Sequence, residues 1–238
     1  VQVARRFGVD RILLANQLIG KQAIRYVMDE LEGDPTFDFY CLVDSVEGVE
    51  ALARAARDRG LSRPLQVLIE GGVKGARSGV RDVGEALEVG RAVKTHGSVL
   101  ALRGVEGFEG VIADPDPAVA AQRVVSFLGF LGAIAAGCDA EGLMAPGPVI
   151  LSAGGSAFYD LVAETFNALS LEREKLVVIR SGCYLTHDSI MYERFARQMR
   201  ERSEVVRSLG NPLRPALEVW AYVQSRPETK RVILNLGK

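Results

Sequence analysis

The chain is poor in the residues from which metal and disulfide frameworks are built. It has 3 cysteines and 2 histidines in 238 residues. Cys41, Cys138 and Cys183 are odd in number and widely spaced, which argues against a disulfide framework or a zinc knuckle. Such usage fits a reducing, cytosolic compartment. Basic blocks are also missing. With 29 Lys and Arg against 30 Asp and Glu, the formal net charge is −1. No general pull towards nucleic acid or an anionic membrane follows. Long apolar runs are absent too. The longest, Val124 to Ala136, is shorter than the roughly 20 residues that span a bilayer, and is expected to be a buried helix. There is no internal repeat, no low-complexity segment and no charged-then-apolar leader. The sequence opens at Val1-Gln2-Val3-Ala4-Arg5-Arg6 and ends at Leu236-Gly237-Lys238, directly after a strand pattern. Both ends read as cuts through a folded unit.

What is present is ordinary globular composition, 48% hydrophobic and 25% charged, arranged in a regular order. Six short apolar runs each end in polar residues and lead into a helical stretch: Ile12–Gln17, Phe39–Asp44, Leu65–Glu70, Val99–Gly104, Val149–Ala153 and Lys175–Ser181. Runs of this kind mark strands buried on both faces, and their alternation with helices predicts a parallel sheet. The helices carry start and stop signals. Ser45 is placed to cap the helix after the second strand, Asp114 or Asp116 the long helix after the fourth, and Gly60 ends the former. The expected fold is α/β, a (β/α)8 barrel of the TIM type with six of its eight strands in this chain. After about Ser189 the pattern changes. A charged helix fills 191–209, and Leu217–Val223 and Arg231–Asn235 read as two strands with a turn at Arg226-Pro227. The expected division is a partial barrel over 1–209 and, over 210–238, a linker with the first strands of a β domain.

Two strand ends have the composition of an anion site. Ser152-Ala153-Gly154-Gly155-Ser156 follows the fifth strand and precedes a helix, and Ser181-Gly182-Cys183 follows the sixth. Glycines let backbone N–H groups approach an anion, Ser156 can donate a hydroxyl, and the helix start adds positive potential. A plain βα turn is the competing reading of either loop alone. In a barrel the loops after the last two strands are neighbours and commonly hold phosphate. The third strand ends in a run with four glycines and two arginines, Glu70-Gly71-Gly72-Val73-Lys74-Gly75-Ala76-Arg77-Ser78-Gly79-Val80-Arg81. A guanidinium there can take a phosphate or phenolate with a forked pair of hydrogen bonds, or it can be a solvated loop arginine. Lys74 reads as a surface lysine rather than a Schiff-base former, since it lies among glycines beyond the strand. Asn16-Gln17, Asp44-Ser45 and Arg103 with Glu106 occupy matching strand ends and can line a pocket or serve as caps. His96 reads as a surface residue at a helix end. His187, beside Asp188, reads as a structural or supporting residue, and Tyr184 as the residue to touch a bound ring.

Taken together, Ile12–Gln17, FYCLVDS at Phe39–Ser45, LIEGGVKGARSGVR at Leu68–Arg81, LRGVEGFEG at Leu102–Gly110, SAGGSAFYD at Ser152–Asp160 and RSGCYLTHD at Arg180–Asp188 resemble the D-threonine aldolase and D-serine dehydratase family. Its bacterial amino acid deaminase, or D-serine deaminase-like, members look most similar. These are pyridoxal-phosphate enzymes whose barrel is of the alanine racemase N-terminal kind. The run Leu217–Lys238 resembles the entry into their β domain.

The resemblance implies a division of labour. Pyridoxal 5'-phosphate would be held through its phosphate by Gly155, Ser156, Gly182 and Cys183. Arg77 would contact the cofactor, Tyr184 would lie beside its ring, and Asn16 would line the pocket. The family's Schiff-base lysine lies in a histidine-flanked stretch of the first barrel strand, which would precede Val1. Its divalent metal, zinc or manganese, is held by a His-x-Cys or His-x-Asp pair that would follow Lys238. The implied activity is that of a lyase on D-amino acids with a β-hydroxyl, a dehydratase-deaminase rather than an aldolase, in a cytoplasmic homodimer that binds neither nucleic acid nor membrane. Alternatives are an amino-acid racemase on the same barrel and a non-catalytic pyridoxal-phosphate-binding protein. The strand pair after Trp220 argues against the last.

Overall fold

The computed structural model describes residues 1–187, 189–210 and 213–236, with Tyr184 and Leu185 described by their backbone only. The chain divides into two compact units, Val1–Ser181 and Gly182–Lys238. The division falls where the sixth strand ends, upstream of the expected boundary at 209.

In the first unit six strands form one sheet: β1 (Arg11–Gln17), β2 (Asp38–Val43), β3 (Leu65–Gly71), β4 (Leu100–Gly107), β5 (Val149–Ala153) and β6 (Lys175–Ile179). They lie in sequence order and every neighbouring pair is parallel. A doubly wound sheet reverses its order at a switch point. This one does not, so right-handed crossovers bring all its helices to one face and the sheet curls as part of a barrel. After α1 (Gln2–Arg6), the helices are α2 (Lys21–Gly33), α3 (Val46–Arg59), α4 (Val83–Thr95), α5 (Pro117–Ala140) and α6 (Tyr159–Ala168). The caps follow the sequence signals. Ser45 Oγ accepts from Gly48 N–H at 3.3 Å, and Asp116 Oδ1 accepts from Ala118 N–H at 2.8 Å.

The two faces of the sheet are packed differently. The outer face and the helices share one large apolar core, including Cys41, Val67, Ile69, Val105 and Leu151. The inner face holds a thin layer of Leu42, Leu68 and Ile150, with Leu13, Tyr40 and Val178 against it. Beyond that layer, towards the carboxyl ends of the strands, the inward positions turn polar. β1 and β6 are the sheet's edges, and their residues are more exposed than those of β3 and β5.

The apolar run Val124–Ala136 lies within the long helix expected after the fourth strand, with Asp116 as its N-cap. α5 has 24 residues and is long and apolar enough to cross a membrane by length and composition. Val124, Leu128, Leu131 and Ala135 on it are fully buried in the core at helical spacing. Two strand glycines let it come close. A Cβ at Gly71 or at Gly107 would collide with the Leu131 side chain. Glycine is required at both strand ends because the helix occupies the space.

In the second unit a 3-10 turn (Gly182–Leu185) is followed by α7 (Met191–Arg202), α8 (Glu204–Ser208), and an antiparallel pair, β7 (Val223–Glu228) and β8 (Arg231–Leu234). The hairpin is as expected but its bounds are not. Leu217–Tyr222 lies outside the strand, and Arg226-Pro227 lies inside it. The register is irregular between Ser225 and Glu228, where Pro227 removes a ladder donor.

Leu131→Ala should cost about 2–5 kcal/mol, because it empties a site walled by two strand ends that cannot collapse onto it. Urea denaturation would show a lower midpoint at unchanged slope. Val125→Ala on the exposed side of α5 should stay within about 0.5 kcal/mol. Equal midpoints for the two variants would contradict the packing described.

Candidate active site

Alternation along the strands points every second side chain into the barrel interior. At the carboxyl rim those positions are taken by Glu70 of β3, Glu106 of β4, Ser152 of β5 and Arg180, one residue past β6. Arg180 ties two of the others. Its guanidinium pairs with Glu106, donates to Ser152 Oγ at 3.1 Å and donates to Gly107 O at 2.8 Å. Ser152 Oγ in turn donates to Val178 O at 3.0 Å. Glu70 is held from the other side, by Gln17 Nε2 and, at 3.0 Å, by Ser78 Oγ. Glu106 is 2% exposed and its Oε2 has no hydrogen-bond partner among the described residues. Burial pushes its carboxyl up to about 7. Arg180 opposes the shift, and the neighbouring Glu70 and Glu109 charges add to it.

Above this layer two loops converge on Phe108. The loop after β3 folds back on its own strand. Val80 N–H donates to Glu70 O at 2.8 Å, Gly72 N–H to Val80 O at 2.9 Å, and Gly79 N–H to Asp44 Oδ2 at 2.9 Å. That fold presents Arg77, whose guanidinium lies 5.5 Å from the centre of the Phe108 ring. The loop after β5 reaches the same ring. A Cβ at Gly155 would stand 3.3 Å from Phe108 Cε2. Gly155 N–H donates to Glu109 Oε1 at 2.5 Å. The end of β6 meets this loop too, through Ser181 Oγ donating to Gly155 O at 3.1 Å. Gly154 has φ 131°, which only glycine adopts without strain.

The sequence-derived candidates separate accordingly. Arg77, Gly155 and Ser156 lie in loops at one rim, and Phe108 contacts the first two. Asn16 is exposed, and its Oδ1 accepts from Gln17 N–H at 2.9 Å; Gln17 is the residue that reaches Glu70. Lys74 is exposed on the loop after β3. Arg103 is corrected. β4 runs on to Gly107, so Arg103 is a mid-strand residue, and its guanidinium donates to Pro146 O, just before β5. His96 bridges helices rather than standing free, with Nε2 2.9 Å from Glu50 Oε1 and Nδ1 3.1 Å from an Arg57 guanidinium nitrogen. Gly182 and Cys183 are exposed in the 3-10 turn of the second unit. His187 in that unit is buried with φ 48°. The Tyr184 side chain and Asp188 lie outside the described residues. Cys41 and Cys138 are core thiols whose pKa burial pushes up to about 12. Among the described residues no group of three or more His, Cys, Asp and Glu is placed to hold a metal.

Four participants were missed by sequence reasoning: Arg180, Glu70, Phe108 and Glu109. A charged residue closing an apolar strand at an inward position was the available signal for Arg180 and Glu70. Nothing local marks Phe108 or Glu109.

No protein-family model matches the chain, and no curated protein matches it by sequence. Its backbone does match solved structures. D-threonine aldolase from Filomicrobium marinum superposes with a TM-score of 0.75 at 20% identity, over 99% of this chain and 57% of that one. D-threo-3-hydroxyaspartate dehydratase from Delftia sp. HT23 gives 0.60 at 25% identity, over 83% and 50%. Alanine racemase from Bacillus anthracis gives 0.53 at 16%, over 90% and 46%. The fold is that of the alanine racemase-like barrel. This agrees with the resemblance read from the sequence. The chain spans about half the length of these structures.

A folded-state carboxyl that titrates near 7, above its ordinary 4.5, favours the native state while it is protonated. Its contribution is complete below about pH 4.5 and is lost as pH rises through about 7. Glu106→Gln should remove that segment of the pH–stability curve, on the order of 3 kcal/mol. Urea denaturation from about pH 4 to about pH 8 checks this. A variant curve parallel to that of the unchanged protein would exclude Glu106 as the source.

Proposed function

We propose that this chain is the cofactor-binding barrel portion of a pyridoxal-phosphate lyase acting on D-amino acids that carry a β-hydroxyl. A dehydratase-deaminase is the preferred form. The single observation that carries the reading is the rim where the glycine loop after β5 and the arginine loop after β3 both abut Phe108. The names of two fold-mates support the substrate class, since D-threonine and D-threo-3-hydroxyaspartate are both D-configured and β-hydroxylated.

The residues present fit the phosphate end of such a cofactor. Gly155 N–H already engages an anionic oxygen, that of Glu109, so its position suits an anion. Ser156 follows it, and α6 begins at Tyr159 with its positive end towards the loop. Arg77 is exposed and offers a forked donor set to an anionic or aromatic acceptor. Ser78 and Gln17 hold the Glu70 carboxylate inward at the base of the rim, and Arg180 holds Glu106 there. Glu106, titrating near 7, can hold or release a proton at its carboxyl within the physiological range. When bound, pyridoxal phosphate supplies the electron-withdrawing ring. The aldehyde end finds no partner in the sheet. Its one lysine among the described residues, Lys175, opens β6 at the opposite rim, and its ammonium donates to Asn167 O and Leu169 O. A divalent metal, a homodimer and a cytoplasmic setting belong to the same reading of the whole enzyme.

Equilibrium dialysis of the 238-residue chain against pyridoxal phosphate tests the proposal. Reversible binding is expected, weakened about tenfold or more in Arg77→Ala, as for loss of a charged hydrogen bond. Borohydride should trap no lysine adduct, and D-serine should yield no pyruvate. Absence of binding at about 1 mM ligand, a threshold of only about 4 kcal/mol, would sink the reading.

A further inference from the structure

We propose that Glu109 is an internal anion seated in the anion subsite at Gly155, so that a phosphate ester enters by displacing its carboxylate. The inference rests on the reading of this loop as a phosphate site and concerns how that site is controlled.

Glu109 has no exposed surface. One carboxylate oxygen takes Gly155 N–H, and the other, Oε2, has no hydrogen-bond partner among the described residues. A buried carboxylate held by one amide is costly, and among the described residues no basic group pairs with it. Arg180 is committed to Glu106, Ser152 and Gly107, and Arg77 lies against Phe108. Glu106 lies close enough for its charge and that of Glu109 to oppose each other. The 3-10 turn that carries it, Glu109–Val111, is short. A carboxylate so placed is poorly stabilised by its surroundings but well placed to compete. It satisfies the loop amide while no ligand is there. It also sets a charge that an incoming phosphate must expel, because two anions cannot share one donor.

The test is a titration of the unchanged chain, Glu109→Gln and Glu109→Ala with inorganic phosphate and with pyridoxal phosphate, read by equilibrium dialysis. Displacement predicts that both variants bind both ligands about tenfold or more tightly than the unchanged chain, the margin of one charge-assisted hydrogen bond. Equal or weaker binding by the variants, with the unchanged chain still binding pyridoxal phosphate, would overturn the displacement and leave the proposed function standing. No binding by any of the three would overturn both. A carboxyl-labelled sample keeps the idea testable if the variants fail to fold. In the unchanged chain the Glu109 carboxyl carbon resonance should shift on saturation with phosphate, and a resonance that stays in place would overturn the proposal.

Discussion

The arrangement at the rim depends on the Arg180 guanidinium. It lies just past the last strand of the sheet and reaches back across two neighbours, to Ser152 on β5 and to Glu106 and Gly107 on β4. A parallel sheet joins its strands only through slanted backbone bonds, and their ends diverge as the sheet curls. A half-buried, multiply bonded arginine holds three of those ends in one register. The loops after β4 and β5 are thereby fixed closely enough for Gly155 to find Glu109. Removing such a partner would leave an uncompensated charge in the interior. The pair is therefore a constraint on geometry more than a net source of stability.

The opposite face supplies the stability. Helices α2 to α6 cover the outer side of the sheet, and the fully buried side chains are concentrated there. The contrast between the two faces explains the polar rim. The inner face has only a thin apolar layer, so the charged groups above it are buried among polar neighbours rather than in an apolar core. Glu106 illustrates the outcome. Its carboxyl is raised by burial and by acidic neighbours although it is paired with an arginine. Apolar burial and electrostatic tuning thus occupy opposite sides of the same strands.

Much of the fold was legible in the sequence because its signals are local. The apolar runs, Ser45, Asp116 and Gly60 each act within a few residues of themselves. Where a reading slipped, a non-local contact was responsible. β4 extends past Gly104 because β3 continues to pair with it as far as Gly107. Pro227 sits within a strand because the two-stranded ladder is irregular there. In the site, Arg77, Gly155 and Ser156 were readable as loop chemistry. Asn16 was named where Gln17 is the residue that reaches Glu70, since alternate strand residues face opposite ways and a run of polar residues does not reveal which one points inward.

By itself the amino-acid order determined six parallel strands with covering helices and two glycine-bearing strand ends, since hydrophobic periodicity and glycine freedom are properties of short segments. Only the tertiary structure decided that Glu109 occupies the Gly155 amide, that Phe108 abuts two loops, and that Arg180 binds the rim together. Those contacts join residues from 28 to 74 positions apart in the chain, and sheet curvature, which no short segment encodes, is what brings them into reach.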